Sequence, residues 1–144
     1  MPLELAQIRR RVQTRLADVK RAAATRREQV AAAERAYEVF LAQMALPVMN
    51  AIAQSLSAEG LAHRVSTPGS AVRMVSDRSS RTYLELRLDT TGASPQVMLE
   101  VGRERGSRVL TDDRPVGDGA HVDTLTDEDV LTAVLASLED LIER

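Results

Sequence analysis

From Leu3 to about Ala45 the chain contains neither Gly nor Pro, and Ala, Arg, Gln, Glu and Leu predominate. These are strong helix formers. Along this stretch Leu5, Ile8, Val12, Leu16, Val19, Ala23, Val30, Tyr37, Leu41 and Met44 fall on one side of a wheel turned at about 100° per residue. Their spacing is closer to an 11-residue repeat than to strict heptads. It predicts one long amphipathic helix with a nearly straight or slightly right-handed seam. Pro47 lacks the donor for the helical ladder and crowds the preceding turn, so the helix is expected to kink there or a second one to begin. Val48, Met49, Ile52, Ala53 and Leu56 carry an apolar face onward, and Gly60 is the expected stop.

Beyond Gly60 the period changes from helical to alternating. In "RTYLELRLD" Leu84, Leu86 and Leu88 alternate with Tyr83, Glu85 and Arg87, and in "QVMLEVGRE" Val97, Leu99 and Val101 repeat the pattern. Each is a strand with one buried and one wet face. "LAHRVS" and "AVRMVS" precede them, and "SRVLT" and "AHVDT" follow with weaker patterns. "TPGS", "DRSS" and "TTGASP" are turns, which places Ser79 and Ser80 in a turn, and "DDRPVGDG" is a loop by composition. A last helix opens at Thr126, a capping residue with Asp129 three positions on as its box partner. Val130, Leu131, Val134, Leu135, Leu138, Leu141 and Ile142 give this helix a wide apolar face.

The expected fold class is α+β. A long N-terminal helix, kinked or broken near Pro47, leads into an antiparallel sheet of about four to five short strands, and a capped C-terminal helix packs on that sheet. Residues 1–46 form the long basic amphipathic helix and residues 47–144 a compact α+β domain.

The composition supports a single folded unit: 144 residues, 44% hydrophobic and 28% charged. Only Tyr37, Phe40 and Tyr83 are aromatic, so aliphatic side chains must fill the core. The absence of Cys leaves no disulfide, thiolate ligand or cysteine nucleophile and fits a reducing, cytoplasmic setting. No apolar run approaches the roughly 18 residues of a membrane span. At the N-terminus the apolar residues precede the charges, the reverse of a signal peptide, so neither membrane nor export is expected.

The net charge of −2 hides an asymmetry. Residues 1–36 hold nine basic and four acidic residues, whereas residues 112–144 hold ten acids against Arg114 and Arg144. Arg9, Arg10, Arg11, Arg15, Lys20, Arg21, Arg26 and Arg27 are candidate polyanion contacts. They spread around the helix outside a narrow apolar stripe, whereas a helix lying in a DNA groove concentrates charge on one side. Arginines beside an apolar seam are what helix–helix contacts use. No oppositely charged pair occurs at i, i+4 in residues 1–46; only i, i+3 pairs such as Arg15–Asp18, Asp18–Arg21 and Arg35–Glu38 do. Most of these cations therefore look outside the helix for a counter-charge.

Catalytic signatures are sparse. Phosphate-binding and dinucleotide glycine motifs are absent, and Ser79 and Ser80 lack a nucleophile-elbow context. His63 shares a strand face with Leu61 and Val65, where a structural histidine is the usual explanation. Asp118, His121 and Asp123 in "DGAHVD" have the chemistry for a divalent cation, but their spacing matches neither a calcium loop nor a zinc-hydrolase helix. The layout of long basic helix, antiparallel sheet and capped helix resembles, in outline alone, the small bacterial nucleoid-associated proteins of the YbaB type. Those are shorter, and no diagnostic motif carries across.

The sequence thus points to a non-enzymatic bacterial interaction or assembly protein that needs no cofactor. Its seam is Leu5, Ile8, Val12, Leu16, Val19 and Val30, and its partner is itself, as a dimer or larger oligomer, or another protein. Sequence-independent DNA association through the arginines is the second expectation. A metal protein or enzyme using residues 112–123 is the third.

Overall fold

A computed structural model describes residues 2–142. The chain begins with α1 (Leu5–Phe40), passes through a π-helical segment (Leu41–Ala45) and continues as α2 (Leu46–Ala58). Together they make one 54-residue helix, about 80 Å long at 1.5 Å per residue. Pro47 therefore does not end the helix. The irregularity lies just upstream, where the Leu46 N–H donates to the Leu41 carbonyl, five residues back. A wider turn of this kind inserts into a helix without breaking it. Pro47 directly follows this widened turn, which relieves the crowding a proline ring imposes on the turn before it.

Five antiparallel strands follow in simple meander order: β1 (His63–Ser66), β2 (Val72–Ser76), β3 (Ser79–Asp89), β4 (Gln96–Arg105) and β5 (Arg108–Pro115). Two 3-10 turns, Val116–Gly119 and Val122–Thr124, lead to α3 (Asp127–Ile142). Several expected boundaries shift. "AHVDT" is a 3-10 turn rather than a strand. Asp112–Pro115, expected in a loop, extends β5, with Pro115 at the end of an edge strand where its missing donor does least harm. The turn at "DRSS" shrinks to Asp77 and Arg78, because Ser76 pairs with Ser79 beside a bulge, so Ser79 and Ser80 open β3.

The register explains which face is buried. Leu84 pairs with Met74 and Val101, Leu86 with Val72 and Leu99, and Leu88 with Val97. With a side-chain period of two, all these side chains share one face. Met49, Ile52, Ala53 and Leu56 from α2 and Val130, Val134 and Leu141 from α3 close over it. The opposite face is a charged ladder: Arg73 meets Glu85 at 2.9 Å, and Arg87 meets Glu100 at 3.2 Å and Asp113 at 3.0 Å. On that face the Tyr83 ring lies across Gly102, where an added Cβ would sit 2.3 Å from the ring.

Both ends of the helical layer are pinned. Thr126 and Asp129 form the expected reciprocal cap: the Asp129 N–H donates to Thr126 Oγ1 at 3.2 Å, and the Thr126 N–H to Asp129 Oδ2 at 2.9 Å. Arg114 on β5 donates to Ser137 Oγ at 2.9 Å and pairs with Asp140 at 2.6 Å, clamping α3 to the sheet edge. Packing of the long helix begins near Ala33 and Ala36, ahead of Pro47, and Tyr37 and Phe40 are buried with their rings 6.2 Å apart. The Tyr37 hydroxyl donates to the Leu86 carbonyl at 3.2 Å.

Residues 39–58 carry no charge. The sequence-based expectation of no span-length apolar segment is corrected here. One 18-residue window of the long helix is apolar enough, by length and composition, to cross a membrane, and 33% of that window is buried in the fold. Packing on the sheet accounts for its apolar face, since Phe40, Ala45, Met49, Ile52, Ala53 and Leu56 all enter the core.

Candidate functional site

The N-terminal part of α1 projects from the packed layers. Every residue from Pro2 to Ala23 is exposed, and Leu5 to Ala23 spans about 28 Å of helix. Its start is fixed locally, because the Gln7 side chain accepts a hydrogen bond from the Glu4 N–H at 3.1 Å. Leu5, Ile8, Val12, Leu16 and Val19 succeed one another at intervals of three or four, which makes a single line on the helix. Their exposure runs from 42% to 64%. A continuous line of large aliphatic side chains facing water is uncommon on a monomer surface.

The basic residues divide into three groups. Arg9, Arg10, Arg11, Arg15, Lys20 and Arg27 are exposed and make no ion pair among the described residues. Arg21 pairs with Asp18 at 3.2 Å, but both are well exposed and the pair contributes little. Arg26 is different. Its guanidinium donates to the carbonyls of Thr90 and Ala93 in the β3–β4 loop, so it ties the helix to the sheet and is removed from the set of free polyanion contacts. The same loop is held by Asp89, which accepts hydrogen bonds from the Thr91 N–H at 2.9 Å and hydroxyl at 2.6 Å. Those bonds lower the Asp89 pKa. Val30 lies on the sheet side of this tie and is half-buried, so it is set apart from the other five seam residues.

The residues of the third expectation are scattered. His121 and Asp123 line an open cavity of about 600 Å³ between α1 and the second 3-10 turn, with Gln29, Ala33, Ala36 and Pro95. Asp118 is not in that lining. It adopts a left-handed conformation (φ 55°), which Asp tolerates, next to Gly117. Among the described residues no group of three or more His, Asp or Glu side chains is placed to hold a metal ion. His63 Nδ1 lies 2.7 Å from the Leu61 carbonyl, as a structural histidine would, while its buried Nε2 has no partner.

A second apolar surface lies between α2 and α3. A groove of about 480 Å³ is lined by Val48, Ile52, Leu56, Leu131, Leu135 and Leu138, with the carboxylates of Glu59, Asp127 and Glu128 beside them. Leu135 is 52% exposed. The signal for this groove is present in the sequence: the apolar arc of α3 is wider than one packing surface requires. Which part of that arc meets the sheet cannot be read from spacing alone.

Comparison with protein-family models, with curated proteins and with solved structures finds no match to this chain.

Proposed function

We propose that the protein is a non-enzymatic assembly module whose N-terminal helix mediates self-association. One observation carries this reading: Leu5, Ile8, Val12, Leu16 and Val19 form an unbroken apolar line on a helix segment whose every residue faces water. Covering five half-exposed aliphatic side chains contributes on the order of 5 kcal/mol before the cost of association. A contact that buries the line on both copies doubles that gain, so a mutual pairing is favoured over a one-sided one. Docking on a different protein is the same chemistry with another partner.

The test is the mass of the full chain in solution, by light scattering across a concentration series. A dimer or larger oligomer is expected. Val12→Asp combined with Leu16→Asp should yield monomers whose circular dichroism and thermal unfolding match the parent. A parent chain that stays monomeric at high concentration with its helix intact would sink self-association and leave docking on another protein.

A second reading has its own observation. Arg9, Arg10, Arg11, Arg15 and Lys20 offer unneutralised charge on the same segment, and sequence-independent phosphate contacts need nothing more. Retardation of duplex DNA that weakens steeply with salt, and is lost when Arg9, Arg10 and Arg11 become Gln, would favour it. The near absence of exposed aromatics disfavours single-stranded targets.

A further inference from the structure

We propose that the groove between α2 and α3 receives the projecting α1 segment of a second copy, each chain of a dimer lending its helix to the other. This rests on the assembly reading above and names the surface that receives the helix. Three features of the molecule lead to it.

The first is charge. Residues 5–23 carry six basic side chains and one acidic one. The border of the groove carries the opposite balance: α2 is uncharged, and α3 has Asp127, Glu128, Asp129, Glu139 and Asp140 with no base. Glu59, Asp127 and Glu128 stand in the groove lining itself. A basic helix with an aliphatic line matches this surface in both respects. The alternative, two α1 segments lying side by side, would bring six cations against six cations at short range.

The second is size. The α2 and α3 helices, of 13 and 16 residues, are about 20 and 24 Å long, against about 28 Å for the projecting segment. A helix laid between them would add a third member to the layer, covering Leu131, Leu135 and Leu138 on one side and Val48 and Ile52 on the other.

The third is reach. The groove of one chain cannot take that chain's own stripe, because both are built on the same continuous helix. Leu16 and Ile52 are about 54 Å apart along its axis. The occupant must therefore come from another molecule. Each copy has one stripe and one groove, so a two-fold pairing satisfies both and closes, whereas an open head-to-tail arrangement would grow into filaments.

The chain has no cysteine, so single introduced thiols report contacts without interference. Full-length Leu16→Cys and Leu135→Cys chains, mixed and oxidised, should form a mixed disulfide dimer in clear excess over either same-variant dimer. Efficient Leu16→Cys homodimers instead would place stripe against stripe and overturn the proposal. As a second measure, Leu135→Arg alters an exposed side chain and should weaken the dimer by roughly tenfold or more with an unchanged fold. Mixing it with the Val12→Asp, Leu16→Asp monomer should restore heterodimers, since one intact stripe then meets one intact groove. If Leu135→Arg dimerises like the parent while the stripe variant is monomeric, the groove is excluded and the assembly reading survives. If the parent itself is monomeric, self-association falls and this proposal with it.

Discussion

The two ends of the long helix follow the same apolar period and meet opposite fates. From Tyr37 to Leu56 the apolar side enters the core, with Tyr37 3% and Phe40 2% exposed. From Leu5 to Val19 a similar line of side chains stays in water. The difference lies in what surrounds the line. Residues 39–58 carry no charge at all, whereas residues 5–23 are flanked by six basic side chains. Uncharged flanks can be buried against sheet and helix on several sides. Arginine-flanked stripes leave only a narrow apolar strip, suited to a partner that can also answer the charge. Periodicity therefore marks an apolar line, and the charge beside it indicates whether that line is buried within the chain.

The largest expected effect comes from truncation. Removing residues 1–40 takes Tyr37 and Phe40 out of the core and should abolish a cooperative urea transition. Removing residues 1–22 should leave the stability of the remaining fold within about 0.5 kcal/mol of the parent monomer. A cooperative, parent-like transition in the longer truncation would show that the docked end is dispensable. Point substitutions sharpen the same contrast. Phe40→Ala should cost roughly 3–5 kcal/mol by the cavity it leaves. Leu16→Ala should fall within about 0.5 kcal/mol when measured on dissociated chains.

Arg26 marks the boundary between the two regimes. Arg26→Ala removes its hydrogen bonds to Thr90 and Ala93, and a loss of roughly 1 kcal/mol is expected, with faster amide exchange confined to the β3–β4 loop. Unchanged exchange there would mean that the helix leaves the sheet earlier, near Val30.

The smallest effect is alkaline. Burial, and then the charge of Glu85, push the Tyr37 phenol above its ordinary value near 10. The folded-state pKa is raised, so this contribution is fully present below about pH 10 and is lost as pH rises further. The unfolded chain releases its proton first. Burial and the hydrogen bond to Glu100 act in the same direction on Tyr83. Urea midpoints should therefore decline above about pH 10, and less so in Tyr37→Phe. An equal decline in that variant would assign the effect to Tyr83 alone.

Much of this was legible in the letters, and the misses have physical causes. Leu84, Leu86 and Leu88 announce a half-buried strand because side-chain alternation is a local property, and Thr126 with Asp129 announces a cap for the same reason. Pro47 was harder. Its effect depends on whether the preceding turn can widen, and the π-helical segment shows that it does. "AHVDT" alternates like a strand, yet the chain leaves the sheet edge after Pro115 and folds this stretch as a 3-10 turn against α1. The eight candidate basic contacts look alike in sequence, and only the position of the β3–β4 loop singles out Arg26.

By itself the sequence determined the helical segments, the half-buried strands β3 and β4 and the charge split between the first helix and the last, because each follows from side chains a few residues apart. Tertiary structure alone decided where the long helix leaves the sheet, and that a groove remains open between α2 and α3. Both depend on how wide the helices spread over five strands, a distance set by packing between residues far apart in the chain.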